Sequence, residues 1–363
     1  MAKRIFIAAT GQNDGKTTLS MGLIEAFKKR GLKIGFIKPI GQRYLVESGY
    51  KVDEDSVLIE KACRMSADLK DMSPIAIEKG FTENYILCGK REDSMKKIIS
   101  SFERIARGKD LVVIEGTGHA GVGSVCDWSN ASVARLLQAK VILIASGGIG
   151  RPIDEIMLNK ALFDSEKVKI IGTIINKVRK EKYKKVSKIV RLGLARKELS
   201  VLGVMPYVDF LSTPTVRLIK DELRLKVLCG EAGLGNNVRN IIVGAMEPHD
   251  ALNYITEGSL IITPGDREDI ILASLSSHML RKKAEVNIAG LILTGGLRPQ
   301  KSIFDLLRRT DIPTLVTKDD TYSAASKVHD LIIKVQPQDK EKIAAIIDLV
   351  EDRVDVDKIL KYL

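Results

Sequence analysis

The sequence predicts an α/β protein: a doubly wound parallel sheet in its first part, then a second, smaller α/β unit. Three observations carry this. Short apolar runs alternate with longer helical patterns from Arg4 onward, which is the rhythm of strand–helix–strand units in a mostly parallel sheet. A glycine-bearing turn at 10–18 joins the first apolar run to the first helical pattern. The alternation stops after Pro206 and restarts at Asn240. With 363 residues the chain is also too long for one ordinary core.

Residues 4–10 read as the first strand, built on Ile5-Phe6-Ile7-Ala8-Ala9. The turn Thr10-Gly11-Gln12-Asn13-Asp14-Gly15-Lys16-Thr17-Thr18 follows, and then a helix over 17–30, stopped by Gly31. Strand, turn and helix in this order are the setting of a phosphate-binding loop. Backbone N–H groups line a concave anion site, and the helix N-terminus adds the positive end of its dipole. The expected nucleotide contacts are Gly11, Asn13, Asp14, Gly15, Lys16, Thr17 and Thr18. Lys16 is expected on the β- and γ-phosphates, and Thr17 on Mg²⁺. The match to G-x-x-x-x-G-K-[ST] is incomplete, because Thr10 stands at the first glycine position and Gly11 comes one residue late.

A second strand, 33–37, ends at Lys38-Pro39. A lysine at the carboxyl end of a strand beside the phosphate loop stands where open α/β sheets bind ligands. Asp53-Glu54-Asp55 then opens a helical pattern. One of these carboxylates, with Asp55 the choice, is expected on Mg²⁺; capping the helix is the other role open to the pair. After an amphipathic helix over 92–107, residues 110–118 read as a buried strand ending in Glu115. That is the position from which a carboxylate faces the metal of a bound nucleotide. Gly116 and Gly118 let the backbone approach a ligand closely. Further strands are expected at 140–145, 170–175 and 201–206, with a helix from about Ile153 after the first of them. The strand at 170–175 ends at Asn176, whose amide can read the edge of a base. Arg179 stands where the guanine-reading N-K-x-D pattern has its aspartate, which favours ATP over GTP.

These residues resemble a known family. The series Thr10-x-x-x-x-Gly15-Lys16-Thr17, Lys38-Pro39, Glu115-Gly116-x-Gly118 and Asn176 is similar to that of dethiobiotin synthetase and its P-loop NTPase-type relatives, the cobyrinic acid amidating synthases among them. The resemblance implies Lys16, Lys38 and Glu115 as catalytic groups, with Lys38 near a reacting carboxyl or carbamate. It also implies Glu115 on the metal and Asn176 on the base. The signature lysine of the partitioning ATPases would fall at Gly11, which disfavours that branch. Two departures stand where a diaminononanoate substrate would dock: a charged insert from Arg43 to about Lys90, and Ala120-Gly121-Val122-Gly123-Ser124 in place of a proline-containing loop.

In the second unit, strands are expected at 241–245, 260–263, 289–293 and 314–316. Asp266-Arg267 and Thr294-Gly295-Gly296 resemble the motif pair of the DRTGG domain and fall at strand ends, where ligands bind. They serve equally as a helix cap and a tight turn. The two domains in this order resemble the N-terminal part of long phosphate acetyltransferases over roughly 2–335. Two short helices, near 338–350 and 355–362, end the 363 residues in place of an acetyltransferase domain, so acetyl transfer is not expected. The expected domains are 1–215 for nucleotide binding, 216–239 connecting, 240–335 DRTGG and 336–363 as C-terminal helices.

The formal net charge is +12, much of it in the run Arg179 to Lys197. No aromatic interleaving or recognition motif accompanies it, so it reads as a solvated helix face with Val186, Ile189, Val190 and Leu194 turned inward, and nucleic acid is not the expected partner. Cys63, Cys88, Cys126 and Cys229 form no C-x-x-C pair and read as reduced thiols. No apolar run approaches the ~18 residues of a membrane span. The N-terminus leads straight into the first strand, so a cytoplasmic location is expected. The expected cofactors are ATP and Mg²⁺, and the expected partners are a nucleotide and a small metabolite, in a homodimer. A nucleotide- or metabolite-responsive regulator is the leading expectation, and an ATP-dependent ligase is the alternative.

Overall fold

The computed structural model describes residues 2–89, 91–279, 288–331 and 333–363; Lys90, the expected end of the insert, lies outside them. Two compact units divide the chain, Met1–Val208 with Val335–Leu363, and Asp209–Lys334.

The first unit is built on six parallel strands: β1 Lys3–Ala9, β2 Ile34–Ile37, β3 Leu111–Glu115, β4 Lys140–Ser146, β5 Ile170–Val178 and β6 Val201–Pro206. Their spatial order is β6-β5-β4-β1-β3-β2. The chain therefore passes from β1 to the edge strand β2, returns to β3 between them, and then builds β4, β5 and β6 outward on the other side of β1. The loops after β1 and β3 lie side by side at the carboxyl edge, where such sheets take their ligands. Strands β1 and β3 are apolar without alternation because both faces are covered, and Ile5 to Ala9 and Leu111 to Ile114 are all buried. Its helices include α1 Lys16–Lys29, α2 Glu54–Ala62, α3 Arg91–Ala106, α4 Asn130–Leu136, α5 Gly150–Ser165 and α6 Tyr183–Ala195. Helix α6 is the basic run. Val186, Val190 and Leu194 are buried, Ile189 is half-buried, and the lysines Lys184, Lys185 and Lys188 are exposed, so the charge is a solvated face.

The insert after β2 folds as an antiparallel hairpin, Tyr44–Glu47 with Tyr50–Asp53, followed by α2. Asp53 is the N-cap of α2 and accepts from the Asp55 backbone N–H at 3.0 Å. The capping role open to this pair is therefore filled by Asp53, which leaves the Asp55 carboxylate for other partners.

The second unit carries five strands: β7 Lys226–Cys229, β8 Asn240–Val243, β9 Ser259–Pro264, β10 Gly290–Thr294 and β11 Thr314–Val316. The order is β7-β11-β10-β9-β8, with β7 antiparallel at one edge. Its helices include α7 Val216–Glu222, α8 Glu268–Met279, α9 Lys301–Leu307 and α10 Thr321–His329. Residues 216–239, read from sequence as a connection, supply α7 and β7. Gly230 and Gly233 in this stretch are packing positions, while Gly235 faces open space. Gly230 has φ 75°, and a Cβ there would run into the Ile312 carbonyl oxygen.

The C-terminal helices α11 Lys340–Arg353 and α12 Val356–Tyr362 return to the first unit. The Asp355 N–H donates to Leu202 O at 2.8 Å, Arg30 pairs with Asp357 at 2.8 Å, and Lys29 pairs with Glu351. Gly22 of α1 is buried, and a Cβ on it would overlap the Val350 side chain. On an exposed helix Gly→Ala gains about 1 kcal/mol. Gly22→Ala is expected instead to lose about 1–3 kcal/mol by overpacking. Urea unfolding checks the sign, and a gain would mean that α11 does not pack there.

Candidate functional site

The loop between β1 and α1 is shaped by backbone geometry. Gly15, the N-cap of α1, has φ 102°, and a Cβ there would collide with Asn176 Nδ2. Asn13 is left-handed as well, with φ 60°. No side chain caps α1, so its first backbone N–H groups are available to an anion.

Neighbouring strands brace this loop. The Thr10 N–H donates to Ile144 O at 2.8 Å. The Asp14 carboxylate accepts from Thr10 Oγ1 at 3.0 Å and from Ser146 Oγ at 2.5 Å. Asn176 Nδ2 donates to Asp14 O at 2.8 Å, its Oδ1 accepts from the Lys177 N–H at 2.8 Å, and Lys177 Nζ donates to Asn13 O at 2.6 Å. Asp14 and Asn176 thus hold the loop's shape from within and behind.

Lys16 points back along the loop. Its ammonium donates to Gly11 O and to Gly118 O, each at 3.1 Å, bridging the loops after β1 and β3. Burial lowers its pKa to about 8 against the opposing pull of Glu115. Thr17 Oγ1 donates to Glu115 Oε1 at 2.9 Å, and Thr18 follows on the first turn of α1. Glu115 is fully buried, its Oε2 has no hydrogen-bond partner, and burial raises its pKa. Lys38 reaches the same carboxylate. Its ammonium lies 3.5 Å from Glu115 Oε1 and 2.9 Å from Asp53 Oδ1, and it also pairs with Asp55. Burial alone would discharge Lys38, but Asp55, Asp53 and Glu115 outweigh it and hold the ammonium well above its ordinary range.

Behind β3, Gly116 and Gly118 lie in a loop tied down by Asn130. Asn130 Oδ1 accepts from the Thr117 N–H at 3.0 Å, and its Nδ2 donates to Thr117 O at 2.6 Å and His119 O at 2.7 Å. Gly116 leaves room for Phe6 and Asn130, while Gly118, with φ 63°, turns its carbonyl to Lys16. Asn130, Ser146 and Lys177 were not singled out from sequence. Each acts through the fold, and only Lys177, adjacent to Asn176, carried a local signal.

Among the described residues, no group of three or more His, Cys, Asp and Glu is set to hold a metal unaided. Mg²⁺ needs less: one or two carboxylates, with water and phosphate completing the shell. Thr17 Oγ1 donates to Glu115 Oε1, Asp55 pairs with Lys38, whose ammonium lies 3.5 Å from that same oxygen, and Glu115 Oε2, without a hydrogen-bond partner, is an acceptor suited to a cation.

In the second unit, Pro264 pairs with Thr294 across adjacent parallel strands, which brings Asp266-Arg267 beside Thr294-Gly295-Gly296. Their contacts fasten loops together. Arg267 Nη2 donates to Met246 O at 3.0 Å and to Asp269 at 2.9 Å. Gly295 N–H donates to Asp319 O at 2.8 Å and Gly296 N–H to Thr317 O at 2.7 Å, with Thr294 Oγ1 2.7 Å from Thr321 Oγ1.

Sheet order and loop define a P-loop NTPase fold in the first unit. Residues 3–215 match the family described as AAA domain, AAA_26, and the chain belongs to that family; residues 219–331 match the DRTGG domain. A phosphate acetyltransferase of Nitratidesulfovibrio vulgaris is 27% identical over 364 residues, covering 98% of this chain and 51% of its own length. One from Pseudomonas aeruginosa is 28% identical over 367 residues, covering 96% and 50%. The chain thus spans about half the length of the curated relatives it matches. Among solved structures, the MinD cell division protein of Aquifex aeolicus aligns with TM-score 0.36 at 15% identity, over 57% of this chain and 83% of its own.

The lowered Lys16 pKa has a measurable sign. An anion at Lys16 favours the ammonium and raises its pKa, so a phosphate ligand binds with proton uptake above about pH 8 and with affinity that falls as pH rises further. Calorimetry of nucleotide binding, whose phosphates are already ionised at this pH, in buffers of different ionisation heat reads that uptake. No uptake at pH 8–9 would mean that Lys16 does not meet the anion.

Proposed function

We propose that the first unit binds ATP with Mg²⁺ and that the chain is a nucleotide- or metabolite-responsive regulator related to the N-terminal part of phosphate acetyltransferases. The supporting observation is the bridge of Lys16 between the Gly11 and Gly118 carbonyls beside the Thr17–Glu115 pair. In this reading Lys16 and the backbone N–H groups of 11–18 take the phosphates, and Asn176 stands beside the base. Thr17, Asp55 and Glu115 face the metal. When bound, Mg²⁺ neutralises phosphate charge. The DRTGG unit, through Asp266, Arg267, Thr294, Gly295 and Gly296, is the place proposed for a small metabolite. A homodimer and a cytoplasmic setting complete the reading; among the described residues no helix is long and apolar enough to cross a membrane.

The second reading is an ATP-dependent ligase that phosphorylates a carboxylate or carbamate. It is favoured by Lys38 standing among the site residues. In the structure that ammonium is paired with Asp53, Asp55 and Glu115.

Titration with ATP and Mg²⁺ by calorimetry, followed by a phosphate-release assay, separates the two. The regulator predicts binding with little or no release, and the ligase predicts release stimulated by a small carboxylic acid or amine. Lys16→Ala is expected to weaken ATP binding by about 100-fold, the loss of a charge-assisted phosphate contact worth roughly 3 kcal/mol. Unchanged affinity in that variant would sink this reading of the loop.

A further inference from the structure

Lys38 is 5% exposed, yet its ammonium meets Asp53, Asp55 and Glu115 together. Glu115 Oε1 is shared with the Thr17 hydroxyl, and Glu115 Oε2, fully buried, has no partner. Lys16 donates to Gly11 O and Gly118 O, so among the described residues Lys38 is the ammonium in direct contact with the three carboxylates. Buried carboxylates are costly without a counter-charge, and Lys38 is the cation that supplies most of it. Its backbone is anchored, since Lys38 N–H donates to Met72 O at 2.7 Å. Its four-carbon stem can still swing a compact charge away from that anchor.

We propose that Lys38 is a resident counter-ion, which closes the Asp55–Glu115–Thr17 position to free divalent cations and withdraws only when a cation arrives with a phosphate chain that can re-pair the ammonium. The proposal rests on the reading of these three residues as the metal side of a nucleotide site. A cation arriving alone must expel Lys38 with no anion to receive it. A cation–phosphate complex brings both the replacement charge and the new partner. The site would therefore select the metal–nucleotide complex over either component.

The test uses the full chain and Mn²⁺ as the probe, with free Mn²⁺ followed by electron paramagnetic resonance in the absence of nucleotide. The wild-type protein is expected to leave the free-ion signal undiminished through the micromolar range. Lys38→Met removes a like charge a few ångström from the cation and is expected to bind Mn²⁺ about 10-fold or more tightly than wild type. Lys38→Arg keeps the charge and is expected to keep Mn²⁺ out. A folded Lys38→Met protein that binds Mn²⁺ no better than wild type would overturn the proposal. If Lys38→Met is unfolded without metal, recovery of its circular dichroism in Mn²⁺ supports the proposal and absence of recovery overturns it. Wild type titrated with Mn²⁺ and ATP together is the separate control: failure there removes the nucleotide reading, while the Lys38→Met comparison still decides the counter-ion.

Discussion

The pairing of buried charges at the carboxyl edge of one sheet is the interaction on which the first unit depends. Glu115 is fully buried at the end of β3, and Lys38, at the end of β2, is nearly so. Neither charge is tolerable alone at that depth. Their coexistence requires β2, β3, α1 and α2 to arrive together, because Thr17, Asp53 and Asp55 come from helix starts and the insert. The hairpin 44–53 and the cap of α2 are thus part of the site's construction. Ser73 Oγ accepts the Asp53 N–H at 2.8 Å and holds that carboxylate where Lys38 needs it.

The phosphate loop follows the same economy of partners. Asp14 was an expected nucleotide contact, but its carboxylate accepts from Thr10 and Ser146. The open groups are backbone N–H donors at the start of α1 and the Lys16 ammonium, which rests on carbonyl oxygens that a phosphate can replace as acceptors. The loop is braced by β4 and β5, and a braced loop needs less ordering on binding an anion. The DRTGG unit shares the parallel-sheet layout, yet its motif residues are mostly engaged with neighbouring backbone. The glycine pair uses its N–H groups on 317 and 319, and Arg267 is held by Met246 O and Asp269.

Much of the first unit was legible in the sequence because its signals are local. An unbroken apolar strand, a Gly15-Lys16-Thr17 junction and an acidic strand end each occupy a few residues and imply one another through a parallel sheet. Asp53 against Asp55 was not legible, since both suit a cap or a metal and only the fold assigns Asp53 to the N-cap. Asn130 and Ser146 were silent for a related reason. They act on loops distant in sequence, and nothing in their own neighbourhood marks them. Residues 216–239 misled because β7 is a four-residue edge strand beside Gly230 and Gly233, and close backbone packing gives the same composition as a linker. The return of α11 to Gly22 of α1 is a long-range contact with no periodic signature.

The most direct test of the central claim is a crystal structure of the chain grown with Mg²⁺ and a non-hydrolysable ATP analogue. The account predicts the phosphates within hydrogen-bond reach of the backbone N–H groups of 11–18 and of Lys16 Nζ, with the metal against Thr17 and Glu115. Nucleotide bound elsewhere, with the loop after β1 empty and Lys16 still on Gly11 and Gly118, would contradict it.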